Sequence, residues 1–288
     1  MDIDWIDLYG YKCRYRHAKS SKPVLVFLPG SMQTIENCDD IFSKLSKDFC
    51  IYQLEVPGIS ESDYLPEEKD FRFLGRCVEK FCESLSLDCI SLLGFSYGAL
   101  VSYGFMLESQ RVKCAALGGA CRRLNESATS DILDAYKHKK DKQAFAQFVT
   151  ESWMPENTGR SKAIKRAVVS AIRKMSDDML DKYLANTKRI IINEQNEHNT
   201  QPTLLFCGDR DAMISQQEVT EWSTYFLDAK VHFIKNCGHL FHIEARGEVV
   251  ELTRDYFLSQ GDDWKGFSLV GTSISDPTNE RVEIGGGR

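Results

Sequence analysis

Short, mainly apolar runs recur along the chain and alternate with stretches of helical spacing. The apolar runs lie at residues 23–28, 49–56, 89–93, 203–207 and 230–234. Runs without polar alternation are typical of strands buried on both faces of a parallel sheet. The helical stretches lie at residues 37–47, 71–86 and 248–258. Because strands and helices alternate in this way, we predict an α/β fold with a mostly parallel central sheet flanked by helices.

Two regions depart from this alternation. At the N-terminus, residues 3–8 and 11–16 flank Gly10 and are predicted to form a hairpin of two strands. Between residues 125 and 193 no buried strand is evident, and helical spacing is found at residues 131–136, 142–152, 162–175 and 178–187. A helical segment inserted between the strands of an α/β sheet is typical of a lid over an active site.

These patterns predict three parts of the chain. The α/β core comprises residues 1–124 and 194–259, and the inserted helical cap comprises residues 125–193. Residues 260–288 are polar and carry three glycines just before the final arginine, so we expect a loosely ordered tail.

The apolar run at residues 89–93 leads directly into the sequence Gly-Phe-Ser-Tyr-Gly at residues 94–98, and helix-forming residues follow it. A strand, a Gly-x-Ser-x-Gly pattern and a helix in succession are typical of a nucleophile elbow, a sharp turn that exposes the serine hydroxyl at the helix N-terminus. The pattern alone occurs by chance in many proteins, and its position between strand and helix distinguishes this occurrence. We therefore predict that Ser96 is a catalytic nucleophile.

A serine hydroxyl needs a base to remove its proton and a carboxylate to orient that base. Enzymes with a nucleophile elbow carry the serine, the acid and the histidine in that order along the chain. Asp211 follows the run at residues 203–207, and His239 follows the run at residues 230–234. We predict that these two residues complete a catalytic triad with Ser96.

Three neighbouring residues have other interpretations. Asp209 is the alternative acid, although its position closer to the strand favours Asp211. His242 lies three residues after His239 and is expected to pack beside it or support it. Glu244 is expected to cap a helix or pair locally.

The oxyanion of a tetrahedral intermediate needs two hydrogen-bond donors, which are commonly backbone amides. One is expected from Tyr97, the residue after the nucleophile. The other is expected from the loop after residues 23–28, where Ser31 is the predicted donor and Met32 is the alternative. A His-Gly pair usually stands in this loop, and here a Pro-Gly pair replaces it, a change that the backbone geometry can survive.

The composition is that of a globular protein with a substantial core, since 42% of the residues are hydrophobic and 27% are charged. The N-terminus lacks the basic and apolar regions of a secretory signal, and no apolar run reaches the roughly 18 residues of a transmembrane helix, so we predict a cytoplasmic protein. The ten cysteines predict buried free thiols, several of them in strand-like runs such as those around Cys13, Cys50, Cys89, Cys114 and Cys207.

Motifs for metals, nucleotides and nucleic acids are missing from the sequence. No Cys-x-x-Cys pair occurs, so we expect no metal site. Neither a phosphate-binding Gly-x-x-x-x-Gly-Lys-Ser/Thr loop nor a Gly-x-Gly-x-x-Gly turn after the first strand is present, and we expect no cofactor. The formal net charge of −6 argues against a nucleic-acid partner.

The charge is unevenly distributed. Residues 121–190 contain 15 lysines and arginines against nine acidic residues, a net charge of +6, so the rest of the chain carries −12. A basic cap could attract an acidic acyl carrier protein (ACP) or the phosphates of coenzyme A (CoA). The alternative is a solvated helical surface whose sign is incidental.

Apolar residues in and near the cap are candidates for lining an acyl-chain channel. The predicted substrate contacts are Met32, Phe148, Trp153 and Met154. The same side chains could equally form the ordinary apolar contacts between a cap and its core.

Over residues 23–258 the chain resembles the α/β-hydrolase superfamily, which implies that fold with an inserted helical cap. The segments Leu-Pro-Gly-Ser-Met at residues 28–32 and Arg-Leu-Asn-Glu at residues 123–126 are similar to the branch that contains 3-hydroxyacyl-ACP acyltransferases, as is Leu-Glu-Val-Pro-Gly-Ile-Ser at residues 54–60. That branch makes rhamnolipid precursors or moves 3-hydroxyacyl groups between ACP and CoA. It tends to carry Ser-Trp-Gly-Gly at the elbow, whereas this chain has Ser-Tyr-Gly-Ala.

These residues predict acyl-enzyme catalysis at Ser96 on an ester or thioester of a medium or long acyl chain. Water would complete a hydrolysis, and a hydroxyl or thiol acceptor would complete an acyl transfer; the sequence leaves both open. Two alternatives remain: the same triad could act on a carbon–carbon bond or another non-ester substrate, or the fold could serve as a non-catalytic ligand receptor.

Overall fold

The computed structural model describes residues 2–137, 141–153, 159–194 and 196–259. In this part of the chain eight strands form one sheet in the order β1-β2-β4-β3-β5-β6-β7-β8. The strands are β1 (Asp2–Leu8), β2 (Tyr11–Ala18), β3 (Val24–Leu28), β4 (Cys50–Leu54), β5 (Ile90–Phe95), β6 (Val112–Gly118), β7 (Thr203–Gly208) and β8 (Ala229–Ile234). β1 and β2 pair antiparallel, as do β2 and β4, and the remaining pairs are parallel. The predicted mostly parallel α/β sheet is confirmed.

Helices cover both faces of the sheet. The helices of the α/β core are α1 (Asp39–Leu45), preceded by a short 3-10 turn, α2 (Phe71–Ser84), α3 (Tyr97–Met106), α8 (Gln216–Ser223), α9 (Phe241–Glu244) and α10 (Arg246–Leu258). Side chains alternate along a strand, so Val26 and Leu28 of β3 pack in the cluster with α2, α3 and α8, whereas Leu25 and Phe27 pack with α1 and α10. Burial on both faces explains why β3 is an uninterrupted apolar run.

Four helices connect β6 to β7, in the range predicted for the cap. They are α4 (Glu126–Lys137), α5 (Lys142–Trp153), α6 (Gly159–Lys174) and α7 (Asp177–Ile191). The apolar faces of α5, α6 and α7 share a separate cluster, called here the cap cluster, which contains Phe145, Ala146, Val149, Ile172, Leu180, Tyr183 and Leu184. The predicted tail at residues 260–288 lies outside the described residues. None of the helices in the described part combines the length and apolar character needed to cross a bilayer.

The structure corrects the prediction for one cysteine. All ten cysteines are free thiols, and nine are buried, but Cys89 is exposed. β5 begins at Ile90, and its pairing with β6 shifts register between Ile90 and Ser91, so Cys89 precedes the paired part of the strand. The predicted run at residues 89–93 therefore begins one residue before the strand does.

Candidate active site

Ser96 occupies the sharp turn between β5 and α3. Its backbone has φ 50° and ψ −115°, a conformation that side-chain-bearing residues rarely adopt outside functional turns. The neighbouring backbone leaves no room for larger residues. A Cβ atom on Gly98 would lie 2.1 Å from the Leu28 carbonyl oxygen, and one on Gly94 would lie 2.5 Å from Oγ of Ser102. The glycines at both ends of the pattern are thus required by close backbone contacts.

The structure brings together the three residues predicted for the triad. Oγ of Ser96 lies 3.2 Å from Nε2 of His239, and Nδ1 of His239 lies 2.8 Å from Oδ2 of Asp211. The second oxygen of Asp211 accepts hydrogen bonds from the amides of Met213 and Ile214, at 2.9 and 3.0 Å. The three side chains follow β5, β7 and β8, so the carboxyl ends of parallel strands place them at one edge of the sheet.

Opposing effects set the protonation of His239. Its burial disfavours the imidazolium and lowers the pKa. The charge of Asp211 and its hydrogen bond act in the opposite direction, with a smaller contribution from Glu244, and they raise the pKa of His239 above its ordinary value. The side chain of Asp211 is fully buried. The pair therefore suits an imidazole that gains a proton during a reaction while a fixed carboxylate balances its charge.

The neighbouring ionisable residues make other contacts. Asp209 accepts a hydrogen bond from the Cys237 amide at 3.2 Å, and so it braces the loop that carries the histidine. Glu244 accepts from the Gly238 amide in the same loop at 3.1 Å. The ring of His242 packs beside that of Phe95, and burial together with the charge of His239 lowers the pKa of His242 to about 3. Among these groups, Asp211 is the carboxylate in contact with His239.

The predicted oxyanion loop is a tight turn held by its own side chain. The Gln33 amide donates to the Gly30 carbonyl at 3.0 Å, and the Gly30 amide donates to Oε1 of Gln33 at 2.7 Å. A Cβ atom on Gly30 would lie 3.4 Å from that of Ser96, so the turn passes directly beside the nucleophile. Gln33 was missed by sequence reasoning, because a buried glutamine carries no pattern that separates it from a solvated one.

The two predicted donors are not used elsewhere. The Ser96 amide donates to the Gly118 carbonyl at 2.7 Å, which fixes the elbow to the end of β6. Within the described chain, the amides of Ser31 and Tyr97 donate to no other residue. Tyr97 is the first residue of α3, where backbone amides have no partner within the helix. In the described residues both amides are therefore without a protein acceptor, and both belong to turns that adjoin Ser96.

A cavity of about 360 Å³, counting the space continuous with solvent, lies beside Ser96 and His239. Its other lining residues are Tyr97, Leu100, Gly119, Ala120, Cys121, Arg122, Arg123, Leu124, Ile190, Asn193, Met213 and Ile214. The apolar members come from α3, from the ends of the cap and from the loop after Asp211. Met213 and Ile214 directly follow the acid in sequence, and this adjacency is the signal that could have identified them.

The predicted substrate contacts are either absent from the lining of this cavity or outside the described residues. Met32 and Phe148 are half-buried, pack against the cap cluster and are not among the residues that line this cavity. The structure does not describe Met154 or the side chain of Trp153. Met32 nevertheless joins the oxyanion loop to the cap, since it packs on cap side chains. Within the described residues, no group of three or more potential ligands is arranged to hold a metal ion.

Comparison with known families supports the assignment of the fold. Residues 23–246 match the model of the alpha/beta hydrolase fold family. The chain belongs to this family. The match of this α/β hydrolase spans the elbow, Asp211 and His239. No curated protein matches the chain in sequence.

Solved structures show the same fold at low sequence identity. The hydrolase is similar to MGS-M2, an alpha/beta hydrolase enzyme from a Medee basin deep-sea metagenome library, with a TM-score of 0.82 and 16% identity over 91% of this chain and 100% of the other. It is also similar to the enol-lactonase from Burkholderia xenovorans LB400 (TM-score 0.75, 16% identity, 88% and 100% covered). A thermophilic esterase from Thermogutta terrifontis gives a TM-score of 0.74 at 16% identity, with 91% and 100% covered. The family match and these structures agree on the α/β-hydrolase fold of the chain.

Proposed function

We propose that this α/β hydrolase cleaves an ester or thioester of an acyl chain through a covalent acyl-enzyme at Ser96. The observation that carries the proposal is the continuous chain of contacts from Ser96 through His239 to Asp211, at 3.2 and 2.8 Å. A hydroxyl, an imidazole and a buried carboxylate in this geometry are the components of nucleophilic acyl transfer. The names of the structurally similar esterase and lactonase agree with this chemistry.

The proposed reaction has two steps. Nε2 of His239 takes the proton of Ser96 as Oγ attacks the carbonyl carbon, and the amides of Ser31 and Tyr97 stabilise the oxyanion. The intermediate collapses to the acyl-enzyme, and His239 returns the proton to the leaving alcohol or thiol. In the second step His239 takes a proton from water as the water oxygen attacks the acyl-enzyme, and it gives this proton to Oγ of Ser96 as the acid leaves. Asp211 orients the imidazole and stabilises its cation in both steps.

The walls of the cavity support an apolar acyl group. Leu100, Leu124 and Met213 stand beside the nucleophile, and such walls favour hydrocarbon over polar substituents. Arg123 lies in the same lining and is exposed, so a substrate with an apolar segment and an anionic group beyond it would complement the site. These two features favour a substrate that joins an apolar acyl group to an anionic group.

Covalent labelling tests the mechanism. Folded protein is treated with a fluorophosphonate, and intact-mass and peptide mass spectrometry then locate the adduct. We expect one adduct per chain, on Ser96, and turnover of aryl esters or acyl thioesters. An unlabelled Ser96 in folded protein would refute the acyl-enzyme. Labelling without turnover of any ester or thioester would favour a carbon–carbon or other non-ester substrate, and neither labelling nor turnover would favour a ligand receptor.

An anionic acyl carrier is the second part of the proposal, and the cap helix α6 supports it. This helix has six basic residues and no acidic one. Lys162, Arg166 and Arg173 are exposed and, at about 100° per residue, lie within roughly 40° of one another on one face. We call these three residues the basic stripe. α6 contacts α9, which follows His239 closely, so the helix that carries the stripe adjoins the segment after the catalytic histidine. A carrier such as ACP or CoA would meet complementary charge there.

Charge reversal of the basic stripe tests the carrier. The triple variant K162E/R166E/R173E is expected to raise KM for an acyl-ACP or acyl-CoA thioester about tenfold or more, because reversed charge repels an anionic carrier. KM for a short aryl ester should change less than about twofold. The control K22E/K47E/K113E makes the same change in net charge at exposed lysines near the amino ends of β3, β4 and β6. Equal effects of the two variants on both substrates would reject the carrier.

Product analysis distinguishes water from another acceptor. With a 3-hydroxyacyl-ACP or acyl-CoA donor, hydrolysis releases the free acid, whereas transfer forms a new ester or thioester. Chromatographic separation of these products, with and without an added hydroxyacyl or thiol acceptor, identifies the species that resolves the acyl-enzyme. We expect free acid without acceptor. An acceptor-dependent ester would assign the protein to acyl transfer.

A further inference from the structure

One arginine of the cap is buried against the elbow. Arg189 lies in the last turn of α7 and is only 2% exposed. Its guanidinium donates to the Tyr97 hydroxyl (2.8 Å), Oδ1 of Asn186 (2.8 Å) and the carbonyls of Pro66 (2.8 Å), Leu65 (3.4 Å) and Lys69. All five N–H groups thus have neutral acceptors, and none of these acceptors is a carboxylate.

A buried guanidinium without a carboxylate partner is costly. Removal of a charge from water is offset only when hydrogen bonds satisfy it closely. For Arg189 the five acceptors and the position at the C-terminal end of α7, where the helix dipole favours a cation, provide that offset. Apolar packing would join the cap to the core at lower cost. The arginine instead provides hydrogen bonds of fixed direction: three to the loop before α2, one to Asn186 and one to the Tyr97 hydroxyl.

Tyr97 is held at both ends. Its ring packs against that of Phe71, with centroids 5.1 Å apart, and its hydroxyl accepts the hydrogen bond from Arg189. Burial raises the pKa of Tyr97 to about 12 although the charge of Arg189 acts to lower it, so the group remains a neutral hydroxyl. The backbone amide of the same residue is the proposed oxyanion donor. Fixing the side chain fixes the first turn of α3 and the direction of that amide.

Two other residues on the same face of α7 bind the core without reaching the elbow. Lys182 donates to the Ser60 carbonyl at 3.1 Å, and Asn186 donates to the Gly58 carbonyl at 2.8 Å. These contacts hold α7 to the loop after β4. Lys182 also pairs with Oδ2 of Asp178 at 2.6 Å. It is a buried cation on the same cap helix that holds the core without contacting Tyr97, and it serves as the comparison for Arg189.

We infer that Arg189 is a positioning residue for the oxyanion hole, through which cap helix α7 sets the Tyr97 amide. The inference rests on the proposed acyl-enzyme chemistry and deepens it. A donor must be held to within about half an ångström to stabilise an oxyanion fully, so a cap that fixes Tyr97 contributes to rate without touching substrate. The cap then does more than cover the site, because its docking completes the catalytic geometry.

The test compares Y97F, R189M, the double variant and K182M. Rates are normalised to active sites titrated with a fluorophosphonate, so that misfolded protein is not counted. We expect Y97F and R189M to lower kcat for an oxygen ester about 10- to 100-fold with less than about a threefold change in KM, and the double variant to be no worse than R189M. K182M should keep kcat within about threefold of the unmodified enzyme.

A thionoester series separates positioning from stability. Sulfur in place of the carbonyl oxygen is a weaker hydrogen-bond acceptor, so a damaged oxyanion hole slows the oxygen ester more than the thionoester. The ratio of kcat for the oxygen ester to kcat for the thionoester should fall in Y97F and R189M and stay constant in K182M. An unchanged ratio and kcat per titrated site in Y97F would overturn the inference, even if R189M fails to fold. Failure of the unmodified enzyme to label at Ser96 would instead overturn the proposed function.

Discussion

Replacement of Ser96 by alanine is expected to lower kcat/KM for the best ester substrate by about 10⁴- to 10⁶-fold. The variant keeps His239, Asp211 and the oxyanion donors but has no atom that can form the acyl-enzyme. Residual turnover would come from binding and oxyanion stabilisation of direct attack by water. Initial rates with an aryl ester give the ratio of kcat/KM for the unmodified enzyme to that for the variant. The enzyme concentration must be high enough to detect the residual activity of the variant.

A serine within α3 provides the control for this prediction. Ser102 is buried in α3, and its hydroxyl donates to the Gly98 carbonyl at 2.7 Å. Ser102→Ala removes a hydroxyl of the same kind six residues away, and we expect kcat/KM to remain within about tenfold, with a loss of about 1 kcal/mol in the free energy of unfolding. Comparable losses of activity in the two variants would contradict a nucleophilic role for Ser96.

The sheet could be predicted where the strand residues are continuously apolar. β3 and β7 are buried on both faces, so their runs of Val, Leu and Phe stand out from the flanking polar residues. β6 was given no bounds, because its sequence Val-Lys-Cys-Ala-Ala-Leu-Gly mixes a lysine with small residues. The strand needs small residues because a Cβ atom on Gly118 would lie only 2.4 Å from the Phe206 ring. Neighbours distant in sequence decide that small residues occupy this strand.

The site shows the same difference between residues marked by a local sequence pattern and residues fixed by distant contacts. Ser96, Asp211 and His239 each follow a recognisable strand, so local patterns located them although they are up to 143 residues apart. Arg189 and Gln33 have no such local signal. Arg189 reaches Tyr97 across 92 residues, and its spacing on α7 resembles that of any solvated cation on a helix. Only the packing of the cap on the core distinguishes it.

The rate of the enzyme is expected to depend on the neutral form of His239. An imidazolium cannot accept the Ser96 proton, so kcat/KM should fall as pH decreases through the pKa of His239. That pKa lies above the ordinary value of 6.5, because Asp211 outweighs burial. We therefore expect an acidic limb with its midpoint above 6.5 in a profile of kcat/KM against pH, measured with a substrate that does not titrate. A midpoint clearly below 6.5 would contradict the influence of Asp211.

Asp211→Asn should change both the rate and this midpoint. The asparagine keeps the shape of the side chain but removes the charge that raises the pKa, so burial dominates and the acidic limb moves to lower pH. The amide also stabilises the wrong tautomer and leaves the imidazolium without a counter-charge, and we expect kcat to fall by about 10⁴-fold.

Asp209→Asn is the matched control, because Asp209 binds the Cys237 amide in the adjacent loop. It should leave the midpoint in place and the rate within about fivefold. If Asp209→Asn moved the limb and Asp211→Asn did not, the acid of the triad would be Asp209, and the 2.8 Å contact between Asp211 and His239 would have only a structural role.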